Sequence, residues 1–452
     1  MVHSKKDPFA LIIFGGSGNL SHQKIYPALY DIAEKGHLPK DYAIIATGRK
    51  NTKEEFYQFF RHSLTSDNRH HKHSVRNAVF KNLKSHIYFY QGDNTDPSFY
   101  SGLSSYLDKL IKEGLPCGNR LFYAAIPQSL YEIVFSNMKK SGLSKSPCGW
   151  TRVVIEKPIG EDEKSAKHLD KIVTSVFSEN QIFRLDHYLR KETLENVLVF
   201  RFKNKIFEEM LNKGNLDHIQ ITSSEDFGIP KRGKFYDATG ALKDVGQNHI
   251  LQMLALATME EPRDKSDGAL VNERLKLVRS LTSDPKDVVY GQYVSGLVHG
   301  KNVCSYRDEE DVMEKSQTDT FFAMKLAVNN ARFNNVPVYI RAGKQMAMWL
   351  TEISYVFKRK DSYQNALTIR VQPNEGIGVK IFTKKPGMKI KIEPTYMQFC
   401  YKHHFPKQAL DAYEKLLQDV FAGRHTFFNT SEEVEAQWRF MMLLPQTLLR
   451  LN

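Results

Sequence analysis

The stretch Phe9-Ala10-Leu11-Ile12-Ile13-Phe14-Gly15-Gly16-Ser17-Gly18-Asn19-Leu20 decides the fold of this chain. Six unbroken apolar residues suit a strand buried on both faces, as in a parallel sheet. The glycine cluster lets the backbone turn tightly. Beyond it Ile25, Ala28, Leu29, Ile32 and Ala33 recur at helical spacing, and Gly36 closes the segment. Pro27 lies inside this helix and should kink it or mark its first turn. Strand, turn and helix in that order open a βαβ unit, and the pattern repeats. Tyr42–Ala46, Ile87–Tyr90, Leu121–Ala125, Val153–Ile155 and Gln181–Leu185 read as further strands, with helical stretches such as Lys164–Phe177 between them. This alternation predicts an α/β, Rossmann-like, doubly wound parallel sheet over residues 1–185.

From residue 186 to 452 the texture changes. Asp217–Thr222, Phe321–Val328, Val336–Arg341, Ile353–Phe357 and Ala366–Val371 read as strands at hairpin or meander spacing, with one strong helix at Gly240–Met259. That pattern predicts an α+β domain with a large, mostly antiparallel sheet. A chain of 452 residues is long enough for two such cores. No stretch approaches the roughly 20 apolar residues of a membrane span, and the N-terminus lacks a signal peptide's apolar core. Cys117, Cys148, Cys304 and Cys400 are scattered without metal-ligand spacing, which predicts free thiols in a cytosolic protein. The net charge of +13 is spread along the chain and accompanies no nucleic-acid motif; anionic small molecules explain part of it, the charge alone decides nothing, and no nucleic-acid partner is expected. His62, His70, His71 and His73 crowd the polar patch Arg61–Arg76. An exposed loop or helix end is the favoured reading there, and no metal site is predicted.

Chemistry clusters at strand ends. Gly15–Leu20 is a variant of the dinucleotide turn, whose glycines admit a pyrophosphate to a helix N-terminus. An NAD site wants Asp or Glu after the second strand to hold the ribose hydroxyls. This chain has Ala46-Thr47-Gly48-Arg49-Lys50, and two cations favour the 2′-phosphate of NADP. Glu156-Lys157-Pro158-Ile159-Gly160 leaves the fifth strand where cofactor and substrate meet. Arg184-Leu185-Asp186-His187-Tyr188-Leu189-Arg190-Lys191 follows the sixth strand. If it turns helical, His187 and Lys191 share a face and suit an oxyanion, with Tyr188 offering a hydroxyl. Asp186 cannot serve an anion and is better employed orienting a histidine elsewhere. In the helix from Gly240, His249 shares a stripe with Val245, Met253 and Leu256, beside the polar residues Asp244, Gln247 and Asn248. At about 100° per residue, Asp244 and His249 stand about 140° apart, both able to border a pocket near the helix start.

These motifs together resemble the glucose-6-phosphate dehydrogenase family. The family's Gly-Ala-Ser-Gly-Asp-Leu with Lys-x-x-Pro-Ala-Leu is matched by Gly15–Leu20 and Lys24–Leu29. Its Glu-Lys-Pro-Phe-Gly is matched at Glu156–Gly160, its Asp-His-Tyr-Leu-Gly-Lys at Asp186–Lys191, and its Arg-Asp-Met-x-Gln-Asn-His at Lys243–His249. The resemblance implies oxidation of glucose 6-phosphate with NADP, and a homodimer or homotetramer. It implies that His249 is the general base and Asp186 its orienter, as suits removal of a hydroxyl proton during hydride transfer. His187, Tyr188 and Lys191 then hold the phosphate. Lys157, Glu225, Asp244, Lys344 and Gln372 contact the sugar, and Tyr131 and Lys157 contact the cofactor.

The departures are specific. Asn19 stands for the family's Asp and Lys243 for its Arg. Arg190 replaces a glycine, where it adds a phosphate contact, points to solvent or crowds the sugar. The run Gln345-Met-Ala-Met-Trp349-Leu350 lacks the cation that some relatives place near the substrate, and the chain ends before the tail that helps form a structural NADP site in some members. Two other readings compete: a different sugar oxidoreductase of the Glu-Lys-Pro type, and a catalytically silent NADP-binding sensor.

Overall fold

The computed structural model describes residues 7–49, 52–65, 75–114, 118–146, 148–230, 232–264, 266–405 and 410–444, in two compact units. His70, His71, His73, Lys50 and Cys117 lie outside the described residues.

The first unit gathers Met1–Gly160, Lys164–Arg190 and Leu410–Ser431. Its six strands are β1 (Phe9–Phe14), β2 (Tyr42–Gly48), β3 (Ile87–Gln91), β4 (Arg120–Ala124), β5 (Thr151–Ile155) and β6 (Ile182–Arg184). All pair in parallel, in the order β3-β2-β1-β4-β5-β6. The order reverses between β1 and β4, which opens the ligand crevice of a doubly wound sheet at their carboxyl ends. Every residue of β1 is buried because successive side chains enter opposite layers. Leu11 and Ile13 pack with Tyr26, Leu29 and Ile32 of the first helix, whereas Ile12 and Phe14 pack with Tyr100, Tyr131 and Phe135. Pro27 lies in the first turn of the helix Tyr26–Glu34 and does not kink it.

Division of the chain at residue 185 gives everything beyond to the second domain, and the packing differs. The boundary falls between Arg190 and Lys191, and Leu410–Ser431 returns to the first unit. The helix Ala412–Ala422 drives the return, inserting Tyr413, Leu416, Leu417 and Val420 into the core that holds Phe9 and Tyr26. Phe421 stacks on Phe9 with ring centroids 4.4 Å apart.

The second unit holds Glu161–Glu163, Lys191–Ala409 and Glu432–Asn452. Its strands are β7 (Leu216–Ser224), β8 (Leu281–Thr282), β9 (Val288–Gly291), the hairpin β10 (Gly296–Val298) and β11 (Lys301–Val303), β12 (Phe321–Val328), β13 (Pro337–Gly343), β14 (Leu350–Phe357), β15 (Ala366–Gln372), β16 (Gly376–Lys384) and β17 (Ile392–Cys400). The large sheet runs β17-β16-β15-β14-β7-β13-β12-β8, with β9 also on β12. Among the described strands of this sheet, only β7 and β13 pair in parallel. No helix among the described residues is long and apolar enough to cross a membrane.

Candidate active site

In the first unit, Gly15–Leu20 forms the turn between β1 and its helix. Gly15 adopts φ +81°, and a Cβ there would run into the carbonyl of Ala125. The turn is fastened by Gly16 N–H donating to Thr47 O at 2.8 Å and by Tyr26 Oη donating to Gly16 O at 2.5 Å. Ser17, Gly18, Asn19 and Leu20 remain accessible at the helix start. A Cβ on Gly48 would come within 2.5 Å of Ser17 Oγ, so the end of β2 abuts the turn. Arg49 therefore follows directly beside it, 64% exposed and 4.0 Å from Asp93. The sequence reading missed this carboxylate because it arrives from the end of β3. Asp93 is occupied by the Thr95 N–H at 2.9 Å and hydroxyl at 2.8 Å, which hold it below its ordinary range, with Arg49 adding less. The turn, the helix start and an exposed guanidinium fit a dinucleotide with a 2′-phosphate.

Lys157 follows β5, next to Glu156. Tyr123 Oη donates to Glu156 at 2.5 Å and Tyr413 Oη at 3.5 Å. Burial lifts this carboxyl to about 7, against the opposing pull of Tyr123 and Lys157. Tyr131 opens the helix Tyr131–Lys140 and is buried, its phenol pushed up by that burial.

The run after β6 is not the helix that would put His187 and Lys191 on one face. Asp186 accepts the backbone N–H of Tyr188 at 3.0 Å and starts a 3₁₀ turn, His187–Arg190. Lys191 is extended, with φ −65° and ψ 133°, and caps a new helix, Glu192–Lys203. His187 instead stacks on Tyr413 at 6.0 Å and meets Tyr188 edge-on at 5.2 Å. Tyr413 also has Lys24 Nζ 5.7 Å from its ring centre. Nothing in the local pattern marks Tyr413, because it comes from the returning segment. Arg190 joins that segment too. Its guanidinium pairs with Asp419 at 2.8 Å and lies 4.7 Å over the Phe427 ring.

In the second unit, Glu225 follows β7 and Lys344 follows β13. The parallel register pairs Ser224 with Gly343, so the next residues emerge side by side. Lys344 donates to the Glu225 carboxylate. Lys191 donates to Gln372 at the end of β15. Asp244 and His249 lie on a π-helix, Leu242–Ile250, which runs into the α-helix Leu251–Thr258. This corrects the α-helical geometry expected from the sequence. Where rings close from i to i+5, residues five apart fall nearly over one another, so Asp244 and His249 border one face instead of standing far around the helix. The turn is started by Asp319, which takes Leu242 N–H at 2.8 Å on its carboxylate and Ala241 N–H at 2.9 Å on its carbonyl. Gly240, at φ +71°, leaves room for that carboxylate. Burial lifts Asp319 to about 6, opposed by those N–H groups. His249 is 3% exposed, and its own N–H donates to Asn248 Oδ1 at 2.6 Å.

Comparison with known proteins matches residues 12–196 to the NAD binding domain of glucose-6-phosphate dehydrogenase and residues 198–449 to its C-terminal domain. A glucose-6-phosphate 1-dehydrogenase of Chlamydia muridarum is 35% identical over 460 residues, spanning 97% of this chain and 90% of the relative. Glucose-6-phosphate 1-dehydrogenase 2 of Mycobacterium bovis is 37% identical over 451 residues, 96% and 87% of the two chains. A solved glucose-6-phosphate dehydrogenase in complex with its substrate glucose-6-phosphate superposes with TM-score 0.89 at 32% identity, covering 99% of this chain and 95% of that one. With both domain models matched and relatives aligned almost end to end, the chain belongs to the glucose-6-phosphate dehydrogenase family.

Proposed function

We propose that the chain oxidises D-glucose 6-phosphate at C1 to 6-phospho-D-glucono-1,5-lactone with NADP, the first step of the pentose phosphate pathway. The observation that carries this reading is the family match across both units, and the resemblance of the motifs around Asp186 and His249 supports it. Bound NADP supplies the acceptor for the C1 hydride. Gly15–Leu20 and Tyr131 hold the dinucleotide, and Arg49 selects the 2′-phosphate.

Lys157 borders cofactor and sugar alike. His187, Tyr188 and Lys191 bind the phosphate by charge-assisted hydrogen bonds. Glu225, Asp244, Lys344 and Gln372 read the sugar hydroxyls and orient C1. His249 removes the C1 hydroxyl proton at its ring nitrogen, and Asp186 fixes its tautomer and stabilises the imidazolium. The burial of Gln247, Asn248 and His249 on a π-helix supports this role, since irregular turns of this type gather at functional sites.

The test is NADPH formation by the purified chain with glucose 6-phosphate, repeated with plain glucose and with NAD. Turnover that requires both phosphates is expected. Equal turnover with plain glucose would instead indicate another Glu-Lys-Pro oxidoreductase. Arg190, the departure that leaves room for a silent sensor, pairs with Asp419 and Phe427, which gives it a structural occupation.

We also infer a homodimer, or a homotetramer built from two. β17 is an edge of the large sheet and exposes Ile392, Tyr396 and Met397, a surface suited to a second copy. Light scattering on the eluting protein measures the mass. We infer a cytoplasmic location as well, since Cys304 and Cys400 form no disulfide among the described residues.

A further inference from the structure

Lys344 is only 8% exposed, yet it is held by more than its carboxylate. Its ammonium lies 5.4 Å from the ring centre of Phe227 and 5.4 Å from that of Tyr236. Both distances fall within the roughly 6 Å over which a cation is drawn to an aromatic face. The backbone fixes the arrangement. Glu225 N–H donates to Gly343 O at 2.9 Å, Gln345 N–H to Phe227 O at 3.1 Å, and Met346 N–H to Glu225 O at 2.9 Å. Tyr236 is buried and meets Tyr306 edge-on at 6.2 Å, and Tyr306 in turn donates to Asp237 at 2.8 Å. The two rings are thus set before any sugar arrives.

Without sugar, Glu225 spends acceptor capacity on Lys344. Sugar hydroxyls that bind Glu225 compete for it, because a carboxylate has a limited set of lone pairs. An ammonium released from its carboxylate at so enclosed a position has little water to replace it. We propose that Phe227 and Tyr236 form an aromatic clamp that keeps the Lys344 ammonium in place while Glu225 exchanges its bond to Lys344 for the sugar's hydroxyls. Both rings are then positioning residues for glucose 6-phosphate, which rests on the reading of Glu225 and Lys344 as sugar contacts. The Tyr236 hydroxyl is not the working part. It is buried without a hydrogen-bond partner among the described residues. Burial and the surrounding Asp319, Asp244 and Glu225 also keep the phenol protonated.

The test is steady-state NADPH formation by the full chain carrying Phe227→Leu, Tyr236→Leu or Tyr236→Phe, with each substrate varied in turn. The two leucine variants should raise KM for glucose 6-phosphate about three- to tenfold, with kcat and KM for NADP within about twofold of the parent. Tyr236→Phe should behave as the parent. Phe227 is 37% exposed, so its replacement leaves the fold intact and keeps the test meaningful if Tyr236→Leu does not fold. An unchanged sugar KM in Phe227→Leu overturns the clamp. A loss in Tyr236→Phe equal to that in Tyr236→Leu overturns the assignment to the ring. Failure of the unsubstituted chain to oxidise glucose 6-phosphate would instead sink the functional reading itself.

Discussion

The two units bring side chains together by the same geometric device at very different scales. In the first, six parallel strands aim their carboxyl ends at one edge, so residues that follow β1, β2, β5 and β6 all arrive there. The second unit has a sheet that is antiparallel almost throughout, which sends consecutive strand ends to opposite edges. Its one parallel pair among the described strands, β7 with β13, is where Glu225 and Lys344 emerge. β15 is antiparallel to β14, which is antiparallel to β7, so Gln372 also ends on that edge. A single parallel pairing within an antiparallel sheet thus does locally what the whole doubly wound sheet does globally.

The comparison is tested most severely by His249→Asn. Loss of the proposed base on the π-turn should lower kcat by roughly 10²–10⁴-fold while NADP still binds. Near-normal turnover, with binding followed by nucleotide fluorescence, would move the chemistry off the second unit. On the parallel edge of the first unit, Arg49→Ala should weaken NADP by roughly 10–100-fold and NAD hardly at all, the effect of one charged hydrogen bond. Equal losses for both nucleotides would detach Arg49 from the 2′-phosphate. Arg190→Gly should act on stability instead of substrate. Asp419 keeps Arg424 at 2.8 Å, so the loss should be about 1–2 kcal/mol, visible as a lower Tm with little change in KM. A raised KM for glucose 6-phosphate at unchanged Tm would return Arg190 to the phosphate.

The smallest effect concerns pH. Glu156 releases its proton near 4.5 when unfolded and near 7 when folded. Between those values the folded chain holds the extra proton, so this group's contribution to stability declines as pH rises. Asp31, lifted to about 7, and Asp319, to about 6, add declines of the same sign. Glu156→Gln should therefore shrink, without abolishing, the fall in Tm from pH 5 to 7.5. An unaltered slope would show that the Tyr123 hydroxyl stabilises the charged form fully.

The first unit is legible in the sequence because its strands are short and mostly apolar, and a glycine cluster ends the first of them. The second is legible only in part. Phe321–Val328 is an apolar run broken only by Lys325, but β16 carries Gly376 and Gly378, and β17 carries Pro394, so neither offers a clean period of two. The π-turn is invisible to any argument built on α-helical spacing, and Asp319, which starts it, stands some 75 residues from Asp244. Phe227, Tyr236 and Tyr413 carry no motif of their own. Their neighbours are set by register and by a returning segment, and neither is local in sequence.

That returning segment bears on how the protein is made. A ribosome that has released residues 1–190 has delivered every strand of the parallel sheet, but not the helix Ala412–Ala422. The surface that later receives Leu416, Leu417 and Val420 stays uncovered while more than two hundred further residues are translated. Burying those three side chains is worth roughly 1.5–3 kcal/mol apiece. Until then that apolar surface is open to association, and a fragment ending at Arg190 should be sticky rather than self-sufficient.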